Sequence, residues 1–498
     1  MNITATKLYN YIKCPHRVFR DAFDDPSLKD PPNDFVQLLW ENGIAHEKDM
    51  IELKKGEGEI LDLSVIPVEA RFERTIKAMN EKKPLIYQGR LEVDNLVGNP
   101  DLLQLQENGE YVPIDIKSGM GYRESDTSED VKLKKEYAVQ IAFYVDVLNK
   151  LGFLSKNYGV ILNSQGVEVE YDLSLAMSSR NPMTWWNFYL NIFNTVNSLY
   201  NKSLVTEPAL GSVCKLCDWA TDCKKKCVES NCITLVPELG RSRKDALNVC
   251  FKDIDSLADC SMDRFLELKE QYVFNRIGQG TFKSFKVRAE LQKAKAKDPL
   301  ITGEFTFPIK PVELFFDIET DPTQNIVYLH GVVERKDGRK TFRSFVAKDV
   351  SDDEEKRAWN EFWRYIRGFD EDQWAMYYYS KYERTQFRHL AKKYPDVASQ
   401  ADVEWLFDPK RSIDLYYDIV KKHTEWPTYN YSVKTLAQHL GFNWRDKNPS
   451  GAASIQWFND WCETKDDKVL QRILDYNEDD CIAMIVVKDK LKSLITEH

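Results

Sequence analysis

Hydrophobic positions along the first 25 residues recur at helical spacing, with Leu8, Tyr11, Ile12 and Val18 on one side. The same period runs through 34–54 and 67–83, so all three stretches are predicted helices. From residue 85 the texture changes. LIYQGRLEVDNLVGNPDLLQLQ (85–106) and EYVPIDIKSG (110–119) carry the alternating, β-branched pattern of strands, and ENGE between them is a turn signal. A charged loop, RESDTSEDVKLKK (123–135), leads into a long helix predicted from Glu136 to Lys150. Two strands follow, around GVILN and VEVEYDLS, and then a Trp-rich helix from Pro182 to Tyr200.

Residues 236–310 differ again, with charged helices and few strand signals. RKDALNVCFKDIDSLADCS (243–261) reads as a short helix pair around a tight turn, and KSFKVRAELQKAKAKDPL (283–300) as a basic, solvated helix face. At Pro311 strand texture returns in VELFFDIETD, IVYLHGVVER and TFRSFVAKD, after which helical segments dominate. These shifts divide the chain into an α/β part (1–235), a helical connector (236–310) and a second α/β part (311–498).

A chain of 498 residues is too long for one core, and 43% hydrophobic content is ample for several. The net charge of −10 excludes a generic cationic nucleic-acid coat, although clustered metal-binding carboxylates would themselves push the count negative. The opening MNITATKLYNYIKCPHRVF has no apolar signal core and no run approaches a membrane span, so a cytoplasmic chain with no membrane partner is expected. In a reducing compartment ten cysteines read as metal ligands and core residues rather than disulfides.

Within PIDIKSG, Asp115 and Lys117 share one face of a strand while Ile114 and Ile116 face the core. GNPD places Asp101 at the end of a neighbouring strand. Two carboxylates and a lysine converging there can hold a divalent cation and orient a water for attack on phosphorus. His46, on a predicted helix, can add an imidazole ligand, and Gln140 and Tyr144 share a helix face from which both can contact a substrate backbone. Each piece alone has a plainer reading, a surface salt bridge or an ordinary helix residue. The order His, Asp, Asp-x-Lys, Gln-x-x-x-Tyr resembles the RecB-like branch of the PD-(D/E)xK nucleases, which includes the CRISPR-associated RecB-like nucleases and the AddB nuclease domain.

SVCKLCDWATDC supplies Cys214, Cys217 and Cys223 within ten largely hydrophilic residues. This C-x2-C-x5-C spacing resembles the iron–sulfur members of that branch, whose fourth ligand lies far upstream. KCPHRVF puts Cys14 in the first predicted helix, in a segment similar to the family's opening. The resemblance implies a structural 4Fe–4S cluster on Cys14, Cys214, Cys217 and Cys223. Spacing alone leaves Zn²⁺ open, and a local knuckle of Cys214, Cys217, Cys223 and Cys227 is the rival.

LFFDIETD places Asp317 and Glu319 on one face of an apolar strand, where two acids call for a partner such as a metal. YNEDD puts Tyr476 and Asp480 four apart on a late helix, and YYYSKYE supplies Glu383 between them. Such carboxylates can hold two divalent ions about 4 Å apart for in-line attack on a phosphodiester. These motifs resemble the DEDD exonucleases of the RNase H-like fold, in the subclass ending in Tyr-x-x-x-Asp. The resemblance implies Asp317, Glu319, Glu383 and Asp480 as ligands and Tyr476 positioning the attacking water. Glu383 departs from the family's usual Asp, and Asp414 in SIDLYYDIV is the competing candidate, in a position resembling a structural aspartate at a helix start.

Together the halves resemble a bacterial RecB-like nuclease family. The expectation is a restriction-endonuclease-like N-terminal domain with an iron–sulfur clasp, a helical connector and an RNase H-like C-terminal domain. It implies an Mg²⁺- or Mn²⁺-dependent nuclease on single-stranded or end-containing DNA with a helicase or a repair or defence partner. A ribonuclease, or a binding subunit with inactive sites, are the alternatives.

Overall fold

Pro15 divides the N-terminal helical run in two. In the computed structural model, which describes all residues except 33, 57, 124–131, 154–156, 273, 275, 276, 448, 449, 497 and 498, α1 (Ala5–Lys13) ends at Cys14 and α2 (Pro15–Phe23) begins at the proline. Cys14 has φ −158° and ψ 109°, since a residue before proline is held out of the helical region while proline itself is well accepted as the first helical residue. Cys14 therefore sits at the joint between two helices, not inside the first helix as the hydrophobic pattern predicts. Most of the charged loop predicted over 123–135, residues 124–131, lies outside the described residues.

The chain forms two compact units, Met1–Pro208 with Ser212–Cys223, and Ala209–Gly211 with Lys224–His498. In the first unit, α3 (Asp34–Lys55) and α4 (Val68–Asn80) lead into a six-stranded sheet. Its strands are β1 (Leu61–Asp62), β2 (Leu85–Tyr87), β3 (Leu102–Leu105), β4 (Tyr111–Ile116), β5 (Tyr158–Leu162) and β6 (Glu168–Asp172), in the order β6-β5-β4-β3-β2-β1. β4 is buried along its whole length, antiparallel to β3 and parallel to β5. The crossover between β4 and β5 contains α5 (Lys135–Lys150), buried continuously from Glu136 to Leu148. A helix apolar on all sides belongs inside a core, and α5 packs there with α1 and α6 (Trp185–Tyr200). Gly159 permits the closeness of that packing: a Cβ there would lie 2.6 Å from Ile141 Cγ2 and 2.9 Å from the Pro113 carbonyl oxygen. Residues 212–216 then make a 3₁₀ turn, and α7 spans Ala220–Glu229.

In the second unit, α8 (Gly240–Leu247) and α9 (Ile254–Asp259) form the expected helix pair, with Asp253 and Ser256 capping α9 reciprocally. With α10 (Met262–Gln271) and α11 (Gln279–Lys293) they enclose a small core in which the Phe265 and Phe282 rings stack 3.8 Å apart. A five-stranded sheet follows, built from β7 (Val312–Asp321), β8 (Ile326–Lys336), β9 (Arg339–Val346), β10 (Trp374–Tyr378) and β11 (Ser412–Asp414). The order is β9-β8-β7-β10-β11, antiparallel across β9, β8 and β7 and parallel across β7, β10 and β11. The aromatic core against it comes from α12 (Asp352–Ile366), α13 (Tyr382–Lys393) and α14 (Gln400–Leu406), with Trp359, Phe362, Trp363 and Phe387 fully enclosed. After α15 (Val433–His439) and α16 (Gly451–Thr464), the long α17 (Asp467–Thr496) packs on β7 and β8. Among the described residues no helix is long and apolar enough to cross a membrane.

Candidate functional site

Strand periodicity brings Asp317 and Glu319 to the same face of β7, and α17 crosses that strand with Tyr476 and Asp480 one helical turn apart. The carboxylates of Asp317, Glu319 and Asp480 meet with one oxygen of each within 4.8 Å of the others. Among the described residues this is the one group of three or more metal-ligating side chains gathered so closely. Burial, reinforced by Glu319, Asp480 and Glu383, holds the Asp317 carboxyl well above the usual range. Burial and then Asp480 push Glu319 up to about 8. Like charges forced together away from water are costly, and a divalent cation removes that cost. The donor set therefore fits Mg²⁺ or Mn²⁺: oxygen ligands only, converging on one point.

Three side chains that sequence reasoning did not identify complete the cluster. Asn477 donates from Nδ2 to Asp317 Oδ2 at 2.9 Å and to Glu319 Oε1 at 3.4 Å. It reaches them because Gly331, directly opposite Asp317 in the β7–β8 ladder, has no side chain: a Cβ there would stand 1.6 Å from Asn477 Oδ1. Trp444 Nε1 donates to Asp480 Oδ1 at 2.8 Å. Lys434, on α15, donates to the Tyr476 hydroxyl oxygen and lies 3.5 Å from Asp480 Oδ2. Asn477 stands inside the quoted YNEDD motif; Lys434 and Trp444 carry no motif, and their contacts span 36 to 46 residues of chain.

Glu383 lies in the first turn of α13, almost wholly buried, and burial pushes its carboxyl up to about 8. It acts electrostatically on Asp317 but stands outside the close trio. Asp414 accepts the backbone N–H groups of Tyr416 and Tyr417 at 3.0 Å and of Ser380 at 3.2 Å, so its oxygen is spent capping the chain after β11.

The first constellation assembles at the ends of β3 and β4. Asp101 Oδ2 accepts the Ile116 N–H at 2.7 Å, and Lys117 forms an ion pair with buried Asp115. Burial and Asp115 hold the Asp101 carboxyl well above its usual range, against the opposing pull of Lys117. Glu47, which was not singled out from sequence, joins this group electrostatically and accepts from Tyr87 Oη at 2.9 Å and Gln88 Nε2 at 2.7 Å. His46 Nε2 is buried with no hydrogen-bond partner, yet His46, Asp101 and Asp115 do not gather within 4.8 Å. Gln140 and Tyr144, read in the sequence as substrate contacts, are buried: Gln140 donates to Tyr144 Oη, which donates to the Asn99 carbonyl at 3.2 Å. The pair holds the chain beside Asp101.

The ten cysteines form no disulfide. Cys14, Cys214, Cys217 and Cys223 are half-buried; burial pushes the Cys217 and Cys223 thiols up, with smaller additions from Cys14 at both and from Cys214 at Cys223. Cys227 instead points into the interior, where its thiol pairs with Cys232. Around the half-buried cysteines α2 is stitched to the 212–223 segment. Arg20, fully enclosed, stacks 4.0 Å over Trp219, pairs with Asp24 at 2.8 Å and Asp222 at 2.6 Å, and donates to Cys223 Sγ at 3.4 Å. Trp219 Nε1 donates to Asp21 at 3.0 Å.

Residues 314–492 match the family model described as RNase_H superfamily, so the C-terminal part of the chain is an RNase H-like domain. No curated protein matches the chain. One solved structure, described as "Crystal structure of SSO0001", aligns over 45% of this chain and 86% of that chain, at 15% identity and a TM-score of 0.21, a likeness too low to carry an argument.

Proposed function

We propose that the protein is a metal-dependent nuclease that hydrolyses phosphodiester bonds of DNA with single-stranded or accessible ends. The observation that carries this reading is the meeting of Asp317, Glu319 and Asp480 in an RNase H-like domain, a fold that is usually a nuclease. Mg²⁺ or Mn²⁺ bound there supplies Lewis-acid polarisation of the phosphate and charge neutralisation. The chain's own part is positional. Asn477 fixes the Asp317 and Glu319 carboxylates, Trp444 fixes that of Asp480, and the Tyr476 hydroxyl orients the attacking water. Glu383, outside the trio, acts on Asp317 electrostatically.

In the first unit, Asp101, Asp115 and Lys117 on adjacent strands, with Glu47 beside them, support a second, RecB-like site in which Lys117 acts on a water. The four half-buried cysteines support a 4Fe–4S clasp. A single tetrahedral Zn²⁺ on the same four thiolates is the alternative. Cys227 is engaged with Cys232, which disfavours the local knuckle.

End-labelled single-stranded DNA and RNA incubated with Mn²⁺ test the reading. Wild type is expected to degrade DNA, and Asp480→Ala to lose about a hundredfold or more in rate. No metal-dependent cleavage of either polymer would overturn it, and faster loss of RNA would make the protein a ribonuclease. Asp115→Ala reports whether the first site contributes.

A further inference from the structure

Lys434 is a cation in contact with the acid cluster. It donates to Tyr476 Oη, stands 3.5 Å from Asp480 Oδ2 and lies 4.5 Å above the Tyr476 ring. Its charge opposes the build-up on Asp317, Glu319 and Asp480 alike. An ammonium only donates, so the Tyr476 oxygen must accept from it, which fixes the direction left for the phenol hydrogen. In this structure that hydrogen goes to Asp480.

We infer that Lys434 is a positioning residue with two opposed effects: it holds the Tyr476 hydroxyl in one orientation for attack, and it competes electrostatically with the divalent cation for Asp480. The inference rests on the nuclease reading above and adds to it a residue outside the carboxylate and tyrosine set. The two effects have opposite signs, which a merely structural lysine would not show. Loss of a packing residue loosens the whole site, so metal affinity and turnover fall together. Loss of Lys434 removes a positive charge from beside the carboxylates, so divalent binding tightens, while the tyrosine loses its anchor and turnover slows.

The experiment compares wild type, Lys434→Met, which keeps the length of the stem, and Lys434→Arg, which keeps the charge. Mn²⁺ binding is read directly by EPR of the free ion, and cleavage by kcat and KM on end-labelled single-stranded DNA. Lys434→Met is expected to bind Mn²⁺ about tenfold more tightly while kcat falls about tenfold or more and KM changes less than about threefold. Lys434→Arg is expected to return Mn²⁺ affinity to the wild-type value and recover part of kcat. Weakened or unchanged Mn²⁺ binding in Lys434→Met overturns the inference, as does an unchanged kcat. Both results leave the nuclease reading standing, because wild-type cleavage is measured in the same series. If wild type cleaves nothing, that reading fails, and the Mn²⁺ titration still decides whether Lys434 competes with metal.

Discussion

Gly331 on β8 shows how much of the site rests on a residue with no chemistry of its own. Gly331 leaves the space that Asn477 fills to reach Asp317, so Gly331→Ala is expected to displace the amide and reduce cleavage about a hundredfold with little change in fold. Because both changes act through one contact, Gly331→Ala should add almost nothing to Asn477→Ala, which a double-mutant cycle on kcat measures. Next to it, His330 is wholly buried between the Phe362 and Phe387 rings with both nitrogens unpartnered, and burial pushes its pKa down to about 3. The neutral ring is the one that folds. Its contribution is complete above the unfolded value of about 6.5 and is lost as pH falls from there toward the folded value, at about 1.4 kcal/mol per pH unit. His330→Leu should therefore flatten the acid side of the stability curve relative to wild type, as urea unfolding at pH 7 and pH 5 will show. Asp317, Glu319, Tyr476 and Asp480 were legible in the sequence because periods of two and four put them on shared faces. Lys434 and Trp444 were not, since they lie in ordinary amphipathic context and acquire meaning only when α17 meets β7 and α15 meets α17.

At the scale of elements, the alternation of apolar and polar positions located the strands from Leu85 to Ile116 and the helix α5 to within a residue or a few. It failed at Cys14, where the helical period continues through a residue whose backbone proline forbids from continuing. The joint between α1 and α2 leaves Cys14 half-buried. The stitching of α2 to the 212–223 segment was equally invisible, because Arg20, Asp21, Trp219 and Asp222 sit in two short stretches that read separately as surface helix and cysteine motif. Arg20→Met leaves Asp24 and Asp222 without their buried partner and is expected to cost the first unit about 3 kcal/mol, read from urea unfolding.

For the whole molecule, the sheet order β9-β8-β7-β10-β11 places the trio at the middle strand, while Asp101, Asp115 and Lys117 occupy the first unit. The two sets share no side chain, so if both sites cut, the rate left in Asp480→Ala belongs to the first site and should vanish in the Asp115→Ala/Asp480→Ala double variant. The proposed iron–sulfur clasp is tested independently of activity. Protein purified without oxygen should carry about four irons per chain. Cys14→Ser should lose them, and Cys227→Ser should keep them. A cross-link between Cys14 and Cys223 closes a loop whose entropy in the unfolded chain corresponds to about 5 kcal/mol, so iron loss should be accompanied by a marked fall in the unfolding midpoint of the first unit.

The bond from Trp219 to Asp21 spans 198 residues of chain. A ribosome adding about 5–20 residues per second makes the first partner roughly 10–40 s before the second. During that interval Arg20 and Asp21 have their chain neighbours Asp24, Arg17 and Lys29 but lack Asp222 and Trp219, so the contacts that stitch α2 to the 212–223 segment cannot form. The order of synthesis thus leaves the earlier-made side of this contact waiting for the later-made one, and slower translation across β1 to α6 should lower the yield of the folded first unit while leaving the RNase H-like domain unaffected.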